Sequence, residues 1–194
     1  MGEGASRSMY WWREDSEPAP GFGDLMQRSK VPLTLADVRL PDAPLIGVNE
    51  AFCQVTQYGP EMCLGRNCRF LQPPGGAGPV RQRMRDFIAN DRIEDGKFLV
   101  PNVRADGSPF LNLVYMTKLQ YNNEIAYIFG SQFEIRRHGE EALQIYETAL
   151  KQDIRQLASI AGEMGIVMLG TYEQLASSHS IIAKLRMSGL KGDG

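Results

Sequence analysis

The sequence predicts an α+β fold: a five-stranded antiparallel sheet with short helices on one side, followed by a helical extension. Three observations carry this expectation. Strand-like segments at residues 97–104, 109–119 and 124–134 are separated by Asp106-Gly107 and Asn122-Asn123 turn signals, the pattern of a meander. Short helix-prone pieces between residues 49 and 70 end at a proline- and glycine-rich loop, residues 72–78. From Glu140 onward, Leu143, Tyr146, Leu150, Ile154, Leu157, Ala161 and Met164 recur at spacings of three and four, an apolar stripe along a long helix.

Taken in order, residues 31–36 and 45–48 read as the first two strands, with a turn at residues 41–44 between them. Asn49 is placed as a helix N-cap, and helical pieces follow to Tyr58, over residues 61–64 and over residues 67–70. Pro79 suits a first helical position, and the helix it opens runs to about Asn90 with Arg81 and Arg85, one turn apart, on one face. Strand alternation puts Phe110, Asn112, Val114 and Met116 on one face and Leu111, Leu113 and Tyr115 on the other. In the last strand Ile128, Gly130 and Gln132 oppose Tyr127, Phe129 and Phe133. The sheet is thus apolar on both sides, so one face suits an internal cavity and the other needs a cover.

Hairpin geometry decides whether Asn102 and Asn112 cooperate. A three-residue loop at residues 106–108 sets them directly opposite each other, whereas a two-residue Asp106-Gly107 turn sends them to opposite faces. Pro101 has no N–H to give a ladder, which favours a bulge or an unpaired position there.

Composition narrows the function classes. A formal charge of −2 provides no global basic footprint for a phosphate backbone. Three cysteines, Cys53, Cys63 and Cys68, lack paired CxxC spacing and stand beside only two histidines, so neither a disulfide framework nor a metal site is expected. A reducing, cytoplasmic setting fits that usage. Residues 1–30 carry Glu14, Asp15 and Glu17 beside Trp11-Trp12 and have no long apolar run, which argues against a signal peptide or membrane span.

The run Gly65-Arg66-Asn67-Cys68-Arg69-Phe70-Leu71-Gln72 resembles the signature of light-oxygen-voltage (LOV) photoreceptors, the flavin-binding branch of the PAS superfamily. The likeness extends over about residues 31–136, through the Arg-Leu-Pro-Asp run from Arg39, Asn49-Glu50-Ala51-Phe52, Arg85, Asn102, Asn112 and Gly130-Ser131-Gln132. It implies a LOV domain between an N-terminal extension, residues 1–30, and a C-terminal one, residues 137–194. It also implies a blue-light receptor, not an enzyme, in which Cys68 bonds reversibly to the C4a carbon of a flavin and flavin N5 gains a proton.

By that resemblance Asn102, Asn112 and Gln132 meet the polar ring edge, with matched amide donors and acceptors. Asn67 and Gln72 flank the cofactor, and Thr34, Val114, Met116 and Gly130 line its slot. Arg69 and Arg85, with Arg81 as an additional candidate, suit a terminal phosphate and so favour FMN over riboflavin. Gln132 is the residue expected to sense N5 protonation by rotating its amide. Thr34, Val114 and Met116 depart from the usual family residues, which predicts an altered adduct lifetime. The Pro73-Pro74-Gly75-Gly76 loop departs too, at the cofactor entrance. Cys53, Cys63, His138 and His179 read as ordinary buried or surface residues.

After Gly170, Thr171-Tyr172-Glu173-Gln174 resembles a capping box, and Leu175, Ile182 and Leu185 continue a second amphipathic helix, completing a helix-turn-helix shape. Such pairs also bind DNA. The acidic excess of the tail instead favours self-association, a homodimer whose packing responds to light, or docking with a signalling protein. A flavin redox sensor and a light-regulated DNA-binding protein are the alternatives.

Overall fold

The computed structural model describes residues 10–13, 22–93, 95–135, 140–163 and 166–168. Five strands form the expected antiparallel sheet: β2 (Leu33–Asp37), β3 (Leu45–Asn49), β4 (Asp95–Val103), β5 (Pro109–Tyr121) and β6 (Glu124–Glu134). Two short strands extend it. β1 (Tyr10–Trp12) pairs with β3, and β7 (Ile166–Met168) pairs with β5, around the order β1-β3-β2-β6-β5-β4. Neither was legible in sequence, because three-residue strands carry too little alternation to separate from their surroundings.

Between β3 and β4 lie α2 (Glu50–Thr56), α3 (Pro60–Cys63), a 3-10 turn (Cys68–Leu71) and α4 (Pro79–Ala89). Asn49 caps α2 as expected, its Oδ1 accepting from the Phe52 N–H at 3.1 Å. The same fully buried amide does more. Oδ1 accepts from Leu33 N–H at 2.8 Å and Nδ2 donates to Val31 C=O at 2.8 Å, tying the start of β2 to the start of α2. The α4 helix opens on Pro79, and the buried Lys118 of β5 donates to the C=O of its C-cap, Asn90, at 2.7 Å.

The outer sheet face has its cover. Phe22, Leu25 and Met26 of α1 (Phe22–Arg28) and Leu150 and Ile154 of α5 (Glu140–Glu163) pack with Tyr115, Leu119 and Phe129 in one buried cluster. Trp12 joins them by lying across Gly47, where a Cβ would come 1.8 Å from its ring. The α5 stripe is therefore buried where Leu150 and Ile154 show it. Met164, His138 and the proposed second helix from Thr171, including His179, lie outside the described residues.

The hairpin register differs from both alternatives drawn from sequence. Arg104 N–H bonds to Ser108 C=O, so the turn is residues 105–107, with Gly107 at φ +85°. Asn102 then pairs with Phe110 and Asn112 with Val100. The asparagines share a face on a diagonal, not directly opposite. Nor is there a bulge at Pro101: the register runs unbroken to Leu111, and the missing donor is tolerated because β4 is an edge strand.

Burial raises the Asp153 carboxyl of α5 to about 6, while a 2.6 Å bond from the Ser29 hydroxyl pulls the other way. A carboxyl raised on folding contributes stability that is complete at low pH and is lost as pH rises through its folded value. We expect Asp153→Asn to melt level with the wild type near about pH 4 and above it past about pH 6. Paired thermal melts across that range test this; a constant difference would refute it.

Candidate functional site

The inner sheet face and the short helices enclose a cleft of about 950 Å³, open mouth included. Every candidate site residue lines it: Thr34 from β2, Asn67, Cys68, Arg69 and Gln72 around the 3-10 turn, Arg81 and Arg85 from α4, and Asn102, Asn112, Val114, Met116, Gly130 and Gln132 from β4–β6. Leu71, Met84, Ile88, Val100 and Ile128 complete the apolar walls. Met84 and Ile88 were missed in sequence, although with Arg81 and Arg85 they follow the i, i+3, i+4, i+7 spacing of one helix face.

Cys68 opens the 3-10 turn, and Asn67 holds that turn in place. Its Oδ1 accepts from Arg69 N–H at 3.0 Å and its Nδ2 donates to Asp42 C=O at 2.6 Å. Asn67 is thus anchored to the β2–β3 turn, where Asp42 and Ala43 adopt positive φ. The Arg69 guanidinium pairs with the Asp42 carboxylate, so it is less free for a ligand than sequence implied. Arg81 and Arg85 project from α4 at the cleft.

The Cys68 residue is partly exposed, yet desolvation pushes its thiol up to about 12. It therefore keeps its proton at neutral pH, unlike an activated nucleophilic cysteine. Cys53 and Cys63 are pushed up to about 11 and about 12, chiefly by desolvation, consistent with inert packing.

The amides define a polar wall. Asn112 Nδ2 donates to Asn102 Oδ1 at 2.9 Å, and Asn102 Nδ2 donates to Pro101 C=O at 3.0 Å. Gln132 Nε2 donates to Thr34 Oγ1 at 3.3 Å. Among the described residues, this leaves Asn112 Oδ1 and Gln132 Oε1 buried with no donor. Buried acceptors of this kind cost about 1–3 kcal/mol each when unsatisfied. Two such amides on the wall of an apolar cleft fit the polar edge of a flat ligand: a flavin ring offers one N–H for an acceptor such as Asn112 Oδ1, and the Gln132 amide, by turning, can meet either a ring acceptor or a protonated ring nitrogen.

Residues 38–137, just over half of the chain, match the family model described as "PAS domain". The chain is 32% identical over 130 residues to a blue-light-activated histidine kinase of Rhizobium johnstonii, covering 66% of this chain and 37% of that protein. It therefore spans little more than a third of that relative. The fold resembles the crystal structure of the Rhodobacter sphaeroides LOV protein with a TM-score of 0.71 at 27% identity, covering 85% of this chain and 93% of that one. The LOV domain of an Erythrobacter litoralis blue-light-activated histidine kinase is 36% identical, with a TM-score of 0.52, covering 57% of this chain and 100% of that one. An RNA-binding light-oxygen-voltage receptor is 28% identical, with a TM-score of 0.55, covering 77% of this chain and 42% of that one.

Proposed function

The chain belongs to the PAS-domain family and is a LOV-domain protein, and on that premise we propose that it is a blue-light receptor that binds FMN and signals through Cys68 and Gln132. The carrying observation is the meeting, in one apolar cleft, of the Cys68 thiol with two buried amide oxygens that have no donor among the described residues. Bound flavin supplies blue-light absorption and a ring carbon that a thiol joins reversibly in the light, with a ring nitrogen as the proton's destination.

The protein's own groups divide the remaining work. Cys68 brings both sulfur and proton, so the site needs no separate base. Asn102 and Asn112 hold the ring edge, and Asn112 Oδ1 is the acceptor for its N–H. Arg81 and Arg85 receive the phosphate, with Arg69 joining them if it leaves Asp42. The apolar walls, including Leu71, Val100 and Ile128, exclude water and set the plane of the ring.

Gln132 connects this site to the exterior. It shares β6 with Phe129 and Phe133, which face the α1 and α5 cover, so a change in its hydrogen bonding reaches the helices packed outside. The proposed output is a change in α5 packing that alters association with a second copy or a signalling protein. The excess of acidic over basic residues disfavours duplex DNA as the partner.

Absorption spectra before and after blue light test the reading: reversible bleaching with dark recovery supports it, and a static flavin spectrum rejects it. For the output, Gln132→Leu is expected to keep reversible bleaching, with an altered dark-recovery rate, while losing the light-dependent change in size-exclusion light scattering. An unaltered scattering response in that variant would place the signal route elsewhere.

A further inference from the structure

The buried hydroxyl of Thr34 has a role that strand-forming propensity alone does not require, since valine serves a strand equally well. Its Oγ1 accepts from Gln132 Nε2 at 3.3 Å and donates to Gly130 C=O at 3.5 Å. The backbone makes room for it. Thr34 lies opposite Gly130 in the β2–β6 ladder, and a Cβ on Gly130 would come 2.6 Å from Thr34 Oγ1. A hydroxyl at position 34 and a glycine at 130 therefore form a matched pair, with the Gln132 amide beside them.

We propose that Thr34 is a positioning residue for Gln132, a hydroxyl that pairs with the amide in both of its orientations and carries its rotation into β2. In one orientation, the one in the structure, Nε2 points to Thr34 and Oε1 lies on the cleft with no donor among the described residues. Turned by half a revolution, the amide presents Nε2 to the cleft and Oε1 to Thr34. A hydroxyl meets both cases because it holds one donor and two acceptor lone pairs. It accepts from Nε2 in the first orientation and donates to Oε1 in the second. An apolar side chain leaves the inner amide atom unpaired either way.

The two states differ at the ladder. While Thr34 accepts from Nε2, its proton is free to engage Gly130 C=O; when it donates to Oε1, that contact is released. Rotation of one side chain thus changes a contact between β6 and β2. The orientation with Oε1 on the cleft, the one suited to a protonated ring nitrogen, uses two Thr34 bonds against one in the other. Loss of the hydroxyl therefore weakens the illuminated arrangement more. This inference rests on the photoreceptor reading and deepens it.

The test uses the full chain carrying Thr34→Val, which keeps the shape, and Thr34→Ser, which keeps the hydroxyl. In the dark, the Gln132 side-chain NH₂ resonances are expected to shift and exchange faster with water in the valine variant, and to stay near wild type in the serine variant. After illumination, dark recovery is expected to quicken by about threefold or more in Thr34→Val, the size of one lost net hydrogen bond, and to be preserved within about twofold in Thr34→Ser. Unchanged resonances in Thr34→Val, a shift without faster recovery, or a serine variant that behaves like valine would each overturn the proposal. A wild type that never bleaches would reject the photoreceptor reading, while the dark resonances still decide the contact between Thr34 and Gln132.

Discussion

Cys68→Ala is expected to retain bound flavin and to lose its reversible blue-light bleaching completely. The sulfur is the bond-forming atom in the proposed photochemistry, and neither neighbouring thiol is placed to replace it: Cys68 lines the cleft, whereas Cys53 and Cys63 do not. Flavin affinity should change by no more than about threefold, because removing one partly exposed sulfur forfeits only a few dispersion contacts. Spectra of the purified variant before and after illumination check both halves. Bleaching that persists unchanged would remove Cys68 from the mechanism while leaving the fold assignment intact.

Asn49→Ala carries the largest expected stability loss. The substitution deletes the cap on the Phe52 N–H, worth about 1 kcal/mol, and strands the buried Leu33 N–H and Val31 C=O at about 1–3 kcal/mol each. The total is roughly 3–7 kcal/mol, or a melting point lowered by about 6–28 °C in a chain of this length. A thermal melt decides it. Loss of only a few degrees would mean that water replaces the side chain at both strand and helix.

The damage should also reach the cleft. Asn49 fixes where β2 begins, and Thr34 is the second residue of that strand. A displaced β2 moves the hydroxyl away from Gln132, so Asn49→Ala should lose flavin at temperatures where the wild type retains it. This couples a helix cap, remote from the cofactor in sequence, to the placement of the signalling amide.

Legibility in the sequence followed the range of the interaction involved. The two faces of β5 and β6 were readable because alternation is a property of neighbouring residues. The Asn49 cap and the Pro79 helix start were readable because each is decided within four residues. The cleft roster was readable through the Gly65–Gln72 run and its likeness to a family, which brought Asn102, Asn112 and Gln132 along from distant strands.

Only tertiary structure decided the rest. The turn at residues 105–107 sits one residue earlier than expected, and that shift moved Asn112 from opposite Asn102 to the diagonal, since register depends on backbone dihedrals that composition does not specify. Asp42 captured Arg69 across 27 positions of sequence, a pairing that no local spacing encodes. β1 and β7 exist because partner edges on β3 and β5 accept them. By itself, then, the sequence determined the faces, the caps and the chemical kinds of residue at the site. Which amide met which hydroxyl, and which acceptors were left on the cleft without a donor, was decided by contacts formed only when distant segments pack together.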